Sequence, residues 1–154
     1  MLRAIHPIAG IVGFLTILVF WTSTLFSELF TPHATVAVVK SMIVSGLFIL
    51  VPAMAIVGAS GMSLGRRRKD APALAKKKRM PIIAINGLFI LVPAAIYLSA
   101  KANAGSFDTS FYVVQVVELI AGATNLTLMG LSIRDGRAMT ARRRAARKSD
   151  PAAR

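Results

Sequence analysis

Four apolar stretches, Pro7–Phe30, Val36–Gly58, Met80–Ala100 and Phe111–Ile133, leave this chain almost no way to fold in water. Each is long enough to cross a bilayer, which takes about 20 mostly apolar residues in a helix. Backbone amides in lipid must be bonded within their own segment. The expected fold is therefore all-α, an integral membrane four-helix bundle. The first stretch is too long for a signal-peptide core and lacks a convincing cleavage site, so it is expected to stay as a span of the mature protein.

Composition supports the same class from another side. The chain is 55% hydrophobic, with mean hydropathy +0.65, yet carries 19 Lys+Arg against 6 Asp+Glu. Such a mixture means that apolar blocks alternate with basic ones. The link between the second and third spans contains GRRRKDAPALAKKKR, with eight basic residues and one acid, Asp70, and eight more basic residues lie from Arg134 onward. With Arg3 this places 17 of the 19 positive residues on one side, leaving Lys40 and Lys101 for the other. The positive-inside rule then predicts both termini in the cytoplasm. The expected layout is a four-span unit over 1–137, with a basic cytoplasmic loop at 59–79, followed by a basic tail at 138–154.

The octapeptide GLFILVPA occurs at Gly46–Ala53 and again at Gly87–Ala94. The match stops at both edges, where Ser45 stands opposite Asn86 and Met54 opposite Ala95. A two-plus-two duplication would pair the first span with the third, not the second with the third. The repeat is read as one packing solution used twice, with Gly allowing close approach and Pro bending each helix.

Ionisable residues within spans are functional candidates by default, at about 2.5–3.5 kcal/mol each on insertion scales. Three qualify: Glu28, Lys40 and Glu118, all toward the predicted outer side. Glu118 is expected to pair with Lys40 or to carry a proton, because its short side chain cannot reach the interface. Gln115, Glu118, Gly122, Asn125 and Met129 follow spacings of 3, 4, 3 and 4, which puts them on one helix face. Gly10, Gly13, Ile17, Phe20, Thr24 and Ser27 form a similar face on the first span. Asn86 is placed to meet Asn125. These residues serve either as interhelical glue or as a proton or polar-ligand pathway.

The two histidines raise b-type haem. His6 opens the first span and His33 follows it, 27 residues on, so that the span sets them roughly 35–40 Å apart, too far to share an iron. A haem would need His6 with another ligand such as Met80, at the same rim; otherwise the imidazoles are interfacial. The absence of cysteine excludes disulfides and thiolate metal sites. Arg66, Arg67, Arg68, Lys76, Lys77, Lys78 and Arg79 have no interleaved aromatic residues for base stacking, so anionic headgroups rather than nucleic acid are their expected partners.

No phosphate loop, metal-ligand cluster or Ser–His–acid set is recognisable. The expectation is a small polytopic protein of a bacterial inner membrane, acting as a non-enzymatic accessory or scaffolding subunit. It would sit beside another membrane protein or form a homo-oligomer. The bacterial source is inferred from an Ala- and Arg-heavy composition. The alternative class is a redox protein with haem or quinone, or a proton-linked transporter, working through Glu118 and Lys40.

Overall fold

The computed structural model describes residues 2–65 and 71–148. They form α1 (Leu2–Phe30), α2 (His33–Gly65), α3 (Ala71–Asn86), a π-helical turn (Gly87–Leu91), α4 (Val92–Asn103) and α5 (Thr109–Lys148), with no strand among the described residues. α3, the π turn and α4 follow one another without a break. Four helical rods are thus long and apolar enough to cross a membrane, at Ile5–Phe30, His33–Gly61, Lys78–Asn103 and Thr109–Ala141. The chain is an all-helical bundle of multi-pass membrane type.

The helices outrun the apolar stretches. α2 continues to Gly65 and α3 begins at Ala71, so the expected loop at 59–79 is helical on both flanks, and only 66–70 lie outside the described residues. The tail expected from 138 is likewise helical as far as Lys148. The physical reason is shared: Ala, Lys and Arg are strong helix formers, so a polar basic run ends a span without ending the helix.

Two tight connections close the other end of the bundle. Thr31 and Pro32 alone separate α1 from α2, and the Pro32 carbonyl accepts from Thr35 and Val36 amides at 2.9 and 3.2 Å. Gly105 takes φ +68° between α4 and α5, a left-handed value suited to glycine. Asp108 then caps α5. Its Oδ1 accepts the Phe111 amide at 3.0 Å and its Oδ2 meets Lys101 Nζ at 2.5 Å. Those bonds from Lys101, Ser110 and Phe111 hold its carboxyl well below the usual carboxylate range.

Burial is inverted relative to a water-soluble domain. Lys40 is 0% exposed, whereas Phe48 is 85% exposed. Only a surrounding apolar solvent makes that distribution favourable. Inside, Ile17, Leu50, Ile83 and Met129 pack as one cluster, and Val36, Leu98, Ala102 and Phe111 as a second, nearer the short connections. Both polar faces read from residue spacing turn inward: Gly13, Ile17, Thr24 and Ser27 on α1, and Gln115, Gly122, Asn125 and Met129 on α5, are buried.

The two copies of GLFILVPA are not one packing solution used twice. Gly46–Ala53 is regular α-helix, whereas Gly87–Leu91 is the π turn, in which the Val92 amide donates to the Gly87 carbonyl. Close approach holds for one glycine only. A Cβ on Gly46 would lie 2.3 Å from Phe20 Cζ, while one on Gly87 would meet only Asn125 Nδ2, at an ordinary 3.5 Å.

Candidate functional site

The site is a cleft walled by all four rods. Its volume is about 520 Å³ and its lining is almost wholly apolar. On α2 the lining runs from Ile43 to Ala59, about 24 Å of helix at 1.5 Å per residue. Ala55 and Ala59 of α2, with Ala84 of α3 and Leu88 of the π turn, line the cleft and are themselves exposed. The cleft therefore opens sideways between the second and third rods, toward the region a bilayer would occupy.

Small residues and the π turn create this space. The wider turn at Gly87–Leu91 contributes Gly87, Leu88 and Leu91 to the wall, in keeping with the tendency of π segments to mark functional sites. Trp21, the chain's one tryptophan, forms part of the α1 side. Its indole N–H donates to the Leu119 carbonyl at 2.9 Å, and the ring lies against Gly122, where a Cβ would come within 2.8 Å of Cδ1.

The polar end of the cleft is built from three rods. Lys40 Nζ on α2 donates to Glu118 Oε2 on α5 at 2.6 Å, with a longer contact of 3.4 Å to Thr24 Oγ1 on α1. Gln115 Nε2, one turn before Glu118, donates to the same Oε2 at 3.1 Å. Lys40 is fully buried, while Glu118 is 12% exposed and lines the cleft. A buried cation needs such a partner, since taking an ammonium out of water uncompensated costs several kcal/mol. Glu28, expected in this cluster, forms no bond to Lys40. Its Oε1 and the Oε1 of Gln115 are buried with no hydrogen-bond partner.

A second amide site lies deeper. Asn86 Nδ2, the residue before the π turn, donates to Asn125 Oδ1 at 2.8 Å and to the Ala121 carbonyl at 2.9 Å. Asn125 Nδ2 in turn reaches the Ile83 carbonyl at a long 3.4 Å. Asn125 also lines the cleft.

The remaining candidates lie elsewhere. His6 and Met80 come together on either side of Gly61: a Cβ there would meet Met80 Cε at 2.2 Å and His6 Cε1 at 3.2 Å. The Ser60 hydroxyl bonds the Ile56 carbonyl of its own helix and lies 2.8 Å from His6 Nδ1. Neither His6 nor Met80 lines the cleft. His33 is exposed at the opposite end, stacked on Phe107 with ring centroids 3.9 Å apart. Among the basic residues, Arg66, Arg67 and Arg68 lie outside the described residues, as do the side chains of Lys76 and Lys77. Lys78 is exposed. Arg79 Nη1 is 2.7 Å from Asp135 Oδ2 and ties α3 to α5.

Residue spacing pointed to neither Trp21 nor the cleft. An indole within an inward face needs an acceptor, which is the signal that marks Trp21. A cavity has no signature of its own in a run of Ala, Gly and Leu. Comparison with protein-family models, curated proteins and solved structures finds no match to this chain.

Proposed function

We propose that this protein is a small multi-pass subunit of a bacterial cytoplasmic membrane that holds a lipid-soluble ligand in its lateral cleft. It acts as a non-enzymatic accessory to a partner membrane protein or to further copies of itself. The observation that carries this reading is the cleft: about 520 Å³ of apolar space, open sideways, with one carboxylate at its end. Ligand sites are characteristically apolar concavities of roughly 300–1,000 Å³ with a few convergent polar groups. A quinone-like molecule suits it better than haem, because no histidine, cysteine or tyrosine, the side chains that hold haem iron on its proximal side, lines the wall.

The charge asymmetry supports an orientation with both termini, and the basic segments beside Lys78, facing the cytoplasm and its anionic headgroups. Single cysteines test it directly, since the chain has none of its own. Ala73→Cys should resist an impermeant thiol reagent in intact cells, and Ser106→Cys should react.

Native mass spectrometry of protein released gently from its own membrane tests the ligand reading. The wild type should carry a lipid-soluble adduct. Ala55→Phe, which places a ring in the cleft mouth, should lose it while keeping its thermal stability. An adduct retained equally by both proteins would rule the cleft out as its site.

A further inference from the structure

The polar end of the cleft is asymmetric in its hydrogen bonding, and that asymmetry specifies the head of the ligand. Both protein donors to Glu118, Lys40 Nζ and Gln115 Nε2, go to Oε2. No donor among the described residues reaches Oε1, the remaining oxygen of a side chain that lines the cleft. Outside the cleft lining, two buried acceptors, Oε1 of Glu28 and Oε1 of Gln115, also have no donor among the described residues. One of them, Oε1 of Gln115, belongs to a side chain only 4% exposed. Of the three residues only Glu118 lines the cleft, so its Oε1 is the acceptor to which a bound molecule can supply a donor.

The donor can be charged or neutral. Lys40 Nζ already sits 2.6 Å from the other oxygen of the same carboxylate, and is fully buried. A ligand cation on Oε1 would lie close to that ammonium with little water to screen the repulsion, which the Glu28 carboxyl, paired with neither group, offsets only from farther away. A neutral O–H has no such conflict, and donating to a carboxylate gives a short, charge-assisted bond. The rest of the wall asks only for apolar bulk. Phe20 and Trp21 flank the space beyond Glu118, and Ala55, Ala59 and Ala84 line it toward the lateral mouth.

Resting on the cleft reading above, we propose that the ligand is a neutral lipophilic alcohol or phenol, of which a reduced quinone is one example. Its hydroxyl donates to Glu118 Oε1, and its apolar tail leaves between α2 and α3 toward the bilayer. The cleft thus prefers a hydroxyl head over the same molecule with its O–H masked, and over an ammonium.

Trp21 provides the readout, as the sole indole in the protein and a wall of the cleft. The full-length protein in nanodiscs is titrated with a ring-brominated alkylphenol, its methyl ether and a ring-brominated alkylammonium, bromine being a short-range quencher. The phenol should quench Trp21 saturably at a concentration about tenfold below that of the ether, the worth of one strong hydrogen bond. Glu118→Gln alone leaves Lys40 unpaired and risks misfolding, so the comparison uses Glu118→Gln with Lys40→Met. That double variant should bind the ether as the wild type does and lose most of the preference for phenol. Equal binding of phenol and ether by the wild type would overturn the hydroxyl assignment while leaving a ligand cleft in place. Tighter binding of the ammonium would overturn it in favour of a cation site. Saturable quenching by none of the three would remove the cleft reading itself.

Discussion

In α2, GLFILVPA runs from Gly46 to Ala53 as regular helix, with Leu50 and Ala53 buried and Phe48 facing outward. In the third rod the same letters open with a π turn over Gly87–Leu91, and burial resumes only at Ala94 and Ala95. Pro52 and Pro93 occupy matching places, so proline does not explain the difference. The flanks do. Val36, Ile43 and Leu50 are buried at intervals of seven, which a regular helix keeps on one face. Ile83 and Ala102 are buried nineteen apart, and since 18 residues make five α-turns, a regular helix would set Ala102 about 100° off the face of Ile83. The wider turn absorbs the extra residue. Its starting point is pinned by Asn86, bonded twice to α5, where the first copy has Ser45, exposed and bonded to its own helix. Identical octapeptides take different hydrogen-bond patterns because their ends are held at different angles.

Deleting one residue from each copy is the strongest way to break this account. Phe48 and Phe89 are both outward-facing, 85% and 69% exposed, so their side chains cost little to lose. Removing Phe48 turns everything beyond it by about 100°, carrying Leu50, Ala53 and Ser60 off the core face. The expected loss is on the order of 5 kcal/mol or more, enough to prevent accumulation. Removing Phe89 leaves Ile83 and Ala102 eighteen apart in an unbroken α-helix, and should cost only about 1 kcal/mol. Unfolding in mixed micelles measures both. Equal losses would show that the π turn does not serve register.

The anchors beside each copy come next. Lys40 ties α2 to α5 through Glu118, and Asn86 ties α3 to α5 through Asn125 and Ala121. Lys40→Met strands a carboxylate and should cost about 3–5 kcal/mol, much of it recovered when Glu118→Gln is added. The double-mutant cycle should therefore be strongly non-additive. Asn86→Leu leaves an amide oxygen without its donor, and should cost about 1–3 kcal/mol. A larger loss at Asn86 than at Lys40 would reverse the ranking of charged and neutral anchors.

How much of this was legible in the letters follows from which interactions are local. The four rods are written in runs of Val, Ile, Leu and Ala, because a span must be apolar whatever it packs against. The inward faces of α1 and α5 are also visible, since polar and small residues at 3–4 spacing have no other tolerable direction in lipid. Lys40 and Glu118 were readable as partners because neither is tolerable alone at that depth. What stayed hidden depends on angles between rods. The π turn arises from a nineteen-residue interval whose buried ends cannot be identified beforehand. The cleft is an absence of side chains rather than a pattern of them. Glu28 shares the depth of Lys40 without bonding it, because depth does not fix rotation around a helix axis. The helical extent of the basic segments, to Gly65, from Ala71 and to Lys148, follows from the helix propensity of Ala, Lys and Arg, which a charge count does not register.

The smallest expected effects concern the first letter of each copy, and they test the comparison most finely because the residue, the seven that follow it and the substitution are the same. Gly46→Ala places a methyl 2.3 Å from Phe20 Cζ and 2.7 Å from Cε1, distances that real carbons do not adopt. Phe20 packs against the Ile17–Leu50–Ile83–Met129 cluster, so its ring can yield only by disturbing that core. The expected cost is about 1–3 kcal/mol of overpacking, less whatever alanine adds to helix stability. Gly87→Ala meets nothing nearer than Asn125 Nδ2 at 3.5 Å. Its cost should be close to zero, or replaced by a gain of up to about 1 kcal/mol if the turn accepts alanine as an α-helix does. Thermal unfolding of the two variants in one detergent separates them. The sign at Gly87 carries further information, since a methyl there also projects toward the cleft wall. A neutral Gly87→Ala that weakens binding of the brominated phenol would place the second copy in the ligand site, and the first copy in the packing of α1 against α2.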